Sequence, residues 1–252
     1  MSNIELRPTY WASVSGGKDS LYMLKYILDN MDRYPLDGVV HFELEMDFPF
    51  IKSVIDYMET ECNRFGIPFL RIRPKNTWME LYNKYGYPSR IGRWCNSKYK
   101  LDASRQLERL MKQQGKKVIH YVGFCADEPK RFRFDLNERT PNVTQIYPLA
   151  EAGIRENDIW LWARNVPQFN DYYKFNFRCG CMMCPLSSIK CLAYTFVYYP
   201  EEFAKYMDLA KQTEKKHPDW KCSVWGCTDY DSEYVINRIK TKYLPLKELG
   251  VK

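Results

Sequence analysis

The first 125 residues alternate between two hydrophobic periodicities. Short runs rich in apolar and aromatic residues at 9–15, 38–44, 68–72 and 117–123 predict β-strands. Between these runs, apolar residues recur at the three- and four-residue spacing of one helix face. These faces comprise Leu21, Leu24, Ile27, Leu28 and Met31; Ile51, Val54, Ile55, Met58, Cys62 and Phe65; and Leu101, Leu107, Leu110 and Met111. The pattern therefore predicts amphipathic helices that alternate with strands.

This alternation indicates an α/β fold. Repeated strand–helix units predict a doubly wound, mostly parallel sheet, because a helical crossover returns the chain to the edge from which the next parallel strand starts. In such sheets, ligands bind at the carboxyl ends of the strands. The polar turn after the first predicted strand, residues 15–20, is therefore the first candidate for a binding site.

The pattern changes after residue 125. A polar stretch at 126–145 precedes segments with helical spacing, and a group of cysteines lies at 179–191. We expect residues 1–145 to form an α/β domain. Residues 146–252 are expected to form a mostly helical, cysteine-rich C-terminal region packed beside it.

Composition narrows the class of protein. Of the 252 residues, 45% are hydrophobic and 16% aromatic, which is typical of a folded globular chain rather than a disordered one. The N-terminal segment does not resemble a signal peptide, and no apolar run is long enough to span a membrane. We therefore expect a cytoplasmic protein with no membrane partner. In that reducing compartment the nine cysteines would serve metal binding, catalysis or packing rather than disulfides.

The net charge of +7 comes from basic residues that gather at 71–75, 90–100 and 129–134. Such segments favour an anionic partner, such as a nucleotide phosphate, sulfate or a nucleic acid. Many solvated surfaces are mildly basic, so the charge by itself does not select among these partners.

The turn at residues 15–20 reads Ser-Gly-Gly-Lys-Asp-Ser. Its glycines allow positive φ and close backbone approach, and the helix that follows directs free N–H groups at the turn. Lys18 adds a mobile cation, Ser20 adds a hydroxyl, and Asp19 suits a helix N-terminus or a Mg²⁺ ion. The spacing is neither that of a Walker A loop nor G-x-G-x-x-G. These features predict an anion cradle; the alternative is a surface turn with a capping side chain.

The cysteines at 179–191 have the spacing of metal ligands. Cys181 and Cys184 form a C-x-x-C pair, and Cys191 follows them. Such a pair binds Zn²⁺ or an iron–sulfur cluster, or acts as a redox pair. Burial on helix faces explains isolated cysteines better than it explains several so close together. Cys222 and Cys227 form a C-x4-C pair whose role stays open between core packing, a second site and sulfur carriage.

Several motifs resemble a known family. SGGKDS resembles the PP-loop of the ATP pyrophosphatases, the adenine nucleotide α-hydrolase-like superfamily. RWCNSKYKLD, VGFCADEPKR and YPLAEAGIRENDIWLWARN are similar to the Cys-Cys-x-x-x-Lys, Gly-x-x-x-Asp-Glu-x-x-Arg and Pro-Leu elements of one branch, the phosphoadenosine phosphosulfate (PAPS) reductase family. These stretches occur in the family's order across most of residues 9–190. The resemblance implies a Rossmann-like fold of the adenine nucleotide α-hydrolase type.

The resemblance also implies that residues 1–145 form a PP-loop domain that binds ATP or adenylylsulfate. The phosphate-binding residues would be Ser15, Gly16, Gly17, Lys18, Asp19 and Ser20, and the catalytic set would be Lys18, Asp19, Lys100 and Arg131. Lys100 and Arg131 would act as further anion ligands. Asp127 and Glu128 would bind Mg²⁺ or accept hydrogen bonds from ribose or substrate; a solvated acidic loop is the alternative.

In this family, a cysteine of the Cys-Cys element joins the later C-x-x-C pair in holding a [4Fe–4S] cluster. Cys95 resembles the first cysteine of that element, but Asn96 occupies the second position. This departure removes one ligand, and Cys191 restores the count of four, so that the predicted ligands are Cys95, Cys181, Cys184 and Cys191. Cys179 is the reserve candidate. Zn²⁺ bound by the same thiolates is the alternative, since four cysteines suit either metal.

Three functions follow from the resemblance. The preferred one is an ATP pyrophosphatase that adenylylates an acceptor, releases pyrophosphate and supports iron–sulfur-dependent sulfur transfer. Its acceptor could be a nucleic acid, and its sulfur donor a protein such as a cysteine desulfurase. The second is a PAPS or adenylylsulfate reductase, which the absence of a Glu-Cys-Gly-x-His element disfavours. The third is a non-catalytic nucleotide-binding module of a complex. The oligomeric state is left open.

Overall fold

The computed structural model describes residues 6–132, 143–217, 224–226 and 230–243. Cys222 and Cys227 lie outside these residues. Two compact units are built from interleaved segments. The first contains residues up to 44, 48–74 and 102–179; the second contains 45–47, 75–101 and the chain from 180 onward. The expected domain division between residues 145 and 146 stays a prediction.

The first unit contains a parallel sheet. Its strands are β1 (Arg7–Val14), β2 (Gly38–Phe42), β3 (Phe69–Ile72), β4 (Lys116–Tyr121) and β5 (Val143–Ile146). All five pair in parallel, in the order β3-β2-β1-β4-β5. This is a doubly wound order, in which the direction of winding reverses between β1 and β4. The predicted α/β fold with a doubly wound, mostly parallel sheet is confirmed.

The helices occupy most of the remaining described chain. They are α1 (Lys18–Leu28), α2 (Pro49–Arg64), α3 (Trp78–Tyr85), α4 (Leu101–Gln113), α5 (Pro148–Glu151), α6 (Glu156–Ala163), α7 (Tyr172–Phe175), α8 (Ile189–Tyr198), α9 (Pro200–Lys216) and α10 (Ser232–Lys242). A π-helix spans Cys95–Lys100, and single 3₁₀ turns lie at Pro129–Arg131 and Pro167–Phe169. From Pro148 onward every regular element among the described residues is helical, which confirms the expected helical C-terminal region.

A buried cluster holds one face of the sheet against α4. Trp11, Val40 and Val118 come from three neighbouring strands, and Leu107 and Met111 lie four residues apart on α4. Residues four apart share one face of a helix, so α4 presents both side chains to the sheet. Leu107 and Met111 therefore hold α4 on the sheet, whereas Leu101 and Leu110, which the apolar spacing placed on the same face, are 40% and 42% exposed.

His120 is a buried polar residue on β4. Its Nδ1 atom lies 2.9 Å from Ser13 Oγ. Among the described residues its Nε2 atom has no hydrogen-bond partner, and the Glu108 carboxylate is 4.0 Å away. Burial lowers the pKa of His120 from 6.5 to about 4. The imidazole is therefore neutral in the folded protein at neutral pH.

We expect the free energy of unfolding to fall as the pH drops from 6.5 towards 4. In this window unfolded His120 binds a proton and folded His120 does not, so acid favours the unfolded state. The loss approaches about 3 kcal/mol, since each unit of pKa shift corresponds to about 1.4 kcal/mol. Urea unfolding across this pH range measures it, and His120→Gln should remove this part of the pH dependence. An identical pH dependence in both proteins would contradict the prediction.

Candidate nucleotide and cysteine sites

The loop between β1 and α1 is a tight turn at the carboxyl end of β1. Gly16 has a φ of +74°, in the left-handed region that glycine adopts without strain. A Cβ atom on Gly16 would lie 2.7 Å from Ile51 Cγ2, so a side chain there would collide with α2. Gly17 is extended and forms the N-cap of α1, and the helix begins at Lys18. The turn therefore leads directly into a helix N-terminus, where N–H groups favour an anion.

Two serine hydroxyls hold the shape of this loop. Ser20 Oγ donates to the Gly17 carbonyl oxygen at 2.9 Å and accepts the Ser15 N–H at 3.2 Å. Ser15 Oγ lies 3.4 Å from both Ser20 Oγ and the Gly17 nitrogen, which donates to it. The hydroxyls thus link the two ends of the turn and fix its backbone.

Lys18 is buried, not mobile as its place in a polar turn led us to expect. Its side chain is 1% exposed, and its Nζ atom donates to Asp19 Oδ1 at 2.7 Å and to Glu156 Oε1 at 3.2 Å. The ammonium group also lies 5.3 Å from the centre of the Phe177 ring. The Lys18 backbone N–H donates to the Tyr173 hydroxyl at 2.8 Å. A buried charge is costly unless it is paired, and the two carboxylates provide that pairing.

The network continues through Arg178. Its Nη2 atom donates to Glu156 Oε2 at 2.8 Å and to Glu128 Oε1 at 3.1 Å. Arg131 Nη1 donates to the same Glu128 oxygen at 2.7 Å. Glu156 therefore joins Lys18 to Arg178, and Arg178 joins Glu156 to Glu128. Hydrogen bonding to Glu156 raises the pKa of Arg178.

Asp127 and Glu128 have different environments. Glu128 is 7% exposed, which is inconsistent with a solvated acidic loop at that position. Asp127 is exposed, and its Oδ1 atom accepts the backbone N–H of Glu156 at 3.0 Å. Asp127 thus holds the start of α6, the helix that carries Glu156. A role for either residue in binding Mg²⁺ stays a prediction.

The loop after β4 approaches the turn closely. A Cβ atom on Gly123 would lie 3.0 Å from the Asp19 carbonyl oxygen, so the two backbones are in near contact. The same loop carries Cys125, whose Sγ atom is 3.9 Å from Asp19 Oδ1. Because β1 and β4 are neighbours at the point where the winding reverses, their following loops flank the crevice in which such folds bind ligands.

Asp19 carries a negative charge in a crowded acidic environment. Burial raises its pKa, the neighbouring Lys18 opposes this rise, and Glu156 and Glu128 add to it. Burial and then the charge of Asp19 raise the pKa of the Cys125 thiol. Mg²⁺ in phosphate sites commonly takes only one or two protein carboxylates, and Asp19 is one carboxylate beside the turn. The donor set is therefore compatible with Mg²⁺ bound together with phosphate oxygens.

The cysteine site lies in the second unit. Cys95 starts the π-helix, and Cys181 and Cys184 lie in a turn in which the Cys184 N–H donates to the Cys181 carbonyl oxygen at 3.2 Å. The Met182 N–H donates to the Met46 carbonyl oxygen at 2.7 Å and anchors this turn. All three cysteines are free thiols of intermediate exposure.

Three of the four predicted metal ligands are electrostatic neighbours. Burial raises the pKa of Cys181, with Asp47, Cys184 and Cys95 adding to the rise and Lys100 opposing it. Burial and then Cys184 raise the pKa of Cys95. Thiolates at this site would repel one another unless a cation lay among them. Thiols are donors that a thiophilic metal binds, but no group of three or more His, Cys, Asp or Glu side chains in the described ranges is arranged to hold a metal ion, so the metal centre stays a prediction.

The remaining predicted residues are placed as follows. Cys191 is buried in the first turn of α8, where its N–H donates to Ser188 Oγ at 3.2 Å. Its role as the fourth ligand stays a prediction. Cys179, the reserve candidate, belongs to the first unit. Lys100 belongs to the second unit, and its role as a phosphate ligand also stays a prediction.

Sequence comparison identifies the family. The profile of the phosphoadenosine phosphosulfate reductase domain matches residues 9–187, which include the turn, the loop after β4 and the C-x-x-C pair. The chain belongs to the PAPS reductase family. This confirms the resemblance to the PAPS reductase family that was drawn from the motifs.

Two curated relatives of this PAPS reductase family chain come from Methanocaldococcus jannaschii. Uncharacterized protein MJ0973 is 26% identical over 79% of the chain and 47% of its own length. Uncharacterized protein MJ0066 is 24% identical over 84% of the chain and 44% of its own length. The chain therefore spans less than half the length of these relatives.

Two solved structures are similar to the PAPS reductase family chain. The U34-tRNA thiolase NcsA from Methanococcus maripaludis with its [4Fe-4S] cluster has a TM-score of 0.42 and 16% identity, covering 96% of this chain and 74% of NcsA. The phosphoadenylyl-sulfate reductase of Candida auris has a TM-score of 0.46 and 13% identity, covering 69% of this chain and 81% of its own.

Within the described residues, no helix combines the length and apolarity needed to cross a membrane.

Sequence reasoning missed three residues that contact the candidate nucleotide site. Glu156, Tyr173 and Arg178 contact the turn or its carboxylates from positions at least 138 residues beyond Lys18 along the chain. Arg178 directly precedes the cysteine group at 179–191. Its position beside cysteines with metal-ligand spacing could have marked it as a candidate functional residue. Glu156 lies in the Pro-Leu stretch that resembles the PAPS reductase family, but nothing in its local pattern marks it as a partner of Lys18.

Proposed function

We propose that this chain is an ATP-dependent adenylylating sulfurtransferase. ATP with Mg²⁺ binds at residues 15–20 and is cleaved to AMP and pyrophosphate, while the AMP group passes to an acceptor. A sulfur nucleophile then displaces AMP from the acceptor. Cys95, Cys181 and Cys184 would hold the metal centre that supports this sulfur transfer.

The observation that carries the proposal is the environment of Lys18. A lysine that is 1% exposed sits at the N-terminus of α1, beside a left-handed glycine and two carboxylates. A buried ion pair of this kind is weak evidence for stability alone, because desolvating the charges offsets their attraction. Its position at the carboxyl end of β1, in a family whose profile spans it, supports a role in binding phosphate.

In the first step, an acceptor oxygen attacks the α-phosphorus of ATP. The bond from this phosphorus to the bridging oxygen breaks, and pyrophosphate leaves with the electron pair. Negative charge grows on the phosphate oxygens, and the Lys18 ammonium and backbone N–H groups at the helix N-terminus stabilise it. The protein contributes mainly position and charge, as is usual for reactions at phosphorus.

Lys18 reaches a phosphate oxygen by giving up its contact with Glu156. Arg178 remains bound to Glu156 Oε2 and keeps that carboxylate neutralised when Lys18 moves. The second arginine, Arg131, binds Glu128 and has its guanidinium carbon 4.0 Å from the centre of the Phe124 ring, and its role as a further anion ligand stays a prediction. The arginines thus allow the lysine to change partners without leaving an unpaired buried charge.

In the second step, a sulfur nucleophile attacks the acceptor carbon that carries the adenylylated oxygen. The carbon–oxygen bond breaks, AMP leaves with that oxygen, and a carbon–sulfur bond replaces it. A sulfur-donor protein such as a cysteine desulfurase would supply the sulfur as a persulfide, and a thiol reductant, which is oxidised to a disulfide, would release it as the hydrosulfide that attacks. The basic, aromatic-rich segment at 90–100 makes a nucleic acid the favoured acceptor.

The two inorganic groups have defined places in this proposal. Asp19 would hold Mg²⁺ together with phosphate oxygens, with Asp127 and Glu128 as further candidates. Cys95, Cys181 and Cys184, with Cys191 as the fourth candidate, would hold a [4Fe–4S] cluster, or Zn²⁺ as the alternative. When bound, Mg²⁺ neutralises phosphate charge and a cluster supplies iron that accepts sulfur.

The test is the fate of ATP. The anaerobically purified chain is incubated with ATP, Mg²⁺ and unfractionated RNA, and AMP, ADP and pyrophosphate are separated and quantified. Equal amounts of AMP and pyrophosphate are expected. Release of ADP and phosphate would contradict the proposal, and ATP binding without turnover would favour a non-catalytic nucleotide-binding module.

The family match favours a second candidate, reduction of a sulfonucleotide to sulfite. This reaction would use the same anion cradle for the phosphates of PAPS or adenylylsulfate. Incubation with either compound and reduced thioredoxin distinguishes the two functions. Sulfite release without any cleavage of ATP would replace the first proposal by the second.

A further inference from the structure

The second unit contains a cavity next to the predicted metal ligand Cys95. Its volume is about 410 Å³, and it is lined by aromatic side chains of Tyr85, Tyr87 and Trp94, with Ser89 and Arg93. This volume lies within the range of about 300–1,000 Å³ that small-molecule sites occupy. Trp94 lines the cavity and immediately precedes Cys95 in the chain.

The interior of the cavity offers flat aromatic surface. Trp94 and Tyr87 are 8% and 2% exposed. Trp94 Nε1 donates to the Gly86 carbonyl oxygen at 3.1 Å, and the Tyr87 hydroxyl donates to the Met183 carbonyl oxygen at 2.9 Å. Because these polar atoms are bound within the protein, the rings are held in place by hydrogen bonds. A planar ligand would stack on such rings at little cost in side-chain entropy.

The surroundings of the cavity are basic. Lys84 and Lys98 lie 5.4 Å and 5.3 Å from the centre of the Tyr85 ring, so both ammonium groups flank the same side chain. Arg93 has no ion-pair partner among the described residues, and neither do these two lysines. Residues 81–101 contain five Lys or Arg and no Asp or Glu. A strongly basic segment without internal acidic partners favours a polyanionic ligand.

Two further features favour a chain of nucleotides over a single small anion. Several separate cations suit successive phosphates, whereas one small anion would need a single convergent clamp. Ile91, in the turn closed by the Ser89 N–H bond to the Gly92 carbonyl oxygen, is 73% exposed and offers an apolar contact outside the cavity. The π-helix that starts at Cys95 is also a rare element that occurs frequently at functional sites.

We propose that this cavity binds one unpaired base of a single-stranded nucleic acid, with Tyr85, which packs against the buried Trp94, stacking on the base and Lys84, Arg93 and Lys98 contacting the flanking phosphates. Aromatic stacking combined with a basic surface is how proteins bind single strands. This inference rests on the proposed function, because it identifies the acceptor as nucleic acid. It also places the bound base beside Cys95, the residue proposed to hold the metal centre.

The test measures binding of fluorescein-labelled single-stranded RNA and DNA oligonucleotides of mixed sequence by anisotropy, without ATP. Tyr85→Leu should weaken binding about tenfold or more, the usual effect of losing one stacked base, and Tyr85→Phe should retain it. Arg93→Gln should weaken binding and lower the slope of log affinity against log salt by about 0.7, the contribution of one phosphate contact to a single strand. Tyr198→Leu and Arg64→Gln, exposed residues outside the cavity, are the matched controls.

The outcomes separate this inference from the proposed function. Oligonucleotide binding that depends on Tyr85 and Arg93 supports the inference whether or not ATP is cleaved. Three results overturn it: no binding of either oligonucleotide, equal weakening by the control variants, or full competition by a nucleoside monophosphate at the concentration at which the oligonucleotide competes. Cleavage of ATP in the absence of oligonucleotide binding would leave the proposed function standing with another acceptor.

Discussion

Replacing Lys18 with Met is expected to slow ATP cleavage about a hundredfold to a thousandfold, the effect of removing one group that stabilises transition-state charge. The same change leaves Glu156 and Asp19 without the ammonium group that binds both of them. Arg178 still binds Glu156, so Asp19 is the carboxylate that loses its partner; because Asp19 is partly exposed, the variant should lose less stability than the about 3–5 kcal/mol that a fully buried unpaired charge costs. Initial rates of pyrophosphate release at saturating ATP and urea unfolding measure the two effects.

A second variant separates catalysis from folding. In Lys18→Met/Asp19→Asn, the side chain that lost its ammonium partner is neutral, so part of the lost stability should return. The rate of ATP cleavage should remain low, because the amide cannot replace the ammonium group at the phosphate. If the double variant regains activity along with stability, Lys18 acts only through folding and its catalytic role is wrong.

The double variant Cys181→Ser/Cys184→Ser is expected to lose its metal completely. Removing two of the three neighbouring thiols leaves too few soft ligands for a cluster or for zinc. Iron, zinc and acid-labile sulfide are quantified after anaerobic purification of both proteins. Near-stoichiometric iron and sulfide in the parent protein, absent from the variant, are the expected result.

Other cysteine variants define the specificity of this result. Cys62→Ala removes a fully buried thiol of α2 in the first unit and should leave the metal content unchanged. Cys191→Ser and Cys179→Ser compare the two candidates for the fourth ligand, and a loss of iron is expected only in Cys191→Ser. Zinc without sulfide would indicate a structural site and remove cluster chemistry from the mechanism. Metal retained in the double variant would show that the assignment of Cys181 and Cys184 is wrong.

The parts of the fold that follow from local periodicity were predicted from the sequence. The first four strands and helices α1, α2 and α4 lie within a few residues of their predicted positions. Strand β5 was missed, because Val-Thr-Gln-Ile is short and lies at the end of a polar stretch. Its place is set by parallel pairing with β4, a contact that no local pattern contains.

Helix α3 and the π-helix were also missed. Thr77 caps α3 with a reciprocal Thr–Glu capping box, a local signal that the apolar spacing did not include. The π-helix at Cys95–Lys100 has no such signal, since its sequence is polar and basic. Whether a helix forms α- or π-type hydrogen bonds depends on the side chains and backbone packed around it. The six residues of this segment carry no information about those neighbours.

The sequence by itself determined the family, the alternation of strands and helices, and the turn at residues 15–20 with its glycines and hydroxyls. These features depend on residues that are close together in the chain, so they can be predicted from the amino-acid sequence. Only the tertiary structure decided that Lys18 is buried against Glu156 rather than mobile, that Arg178 and Arg131 neutralise the carboxylates, and that Tyr85, Trp94 and Arg93 line one cavity. These contacts depend on how the sheet and helices bring distant residues together and on how burial forces charges to pair. Neither the long-range contacts nor the pairing of buried charges produces a hydrophobic periodicity that could be recognised in the sequence.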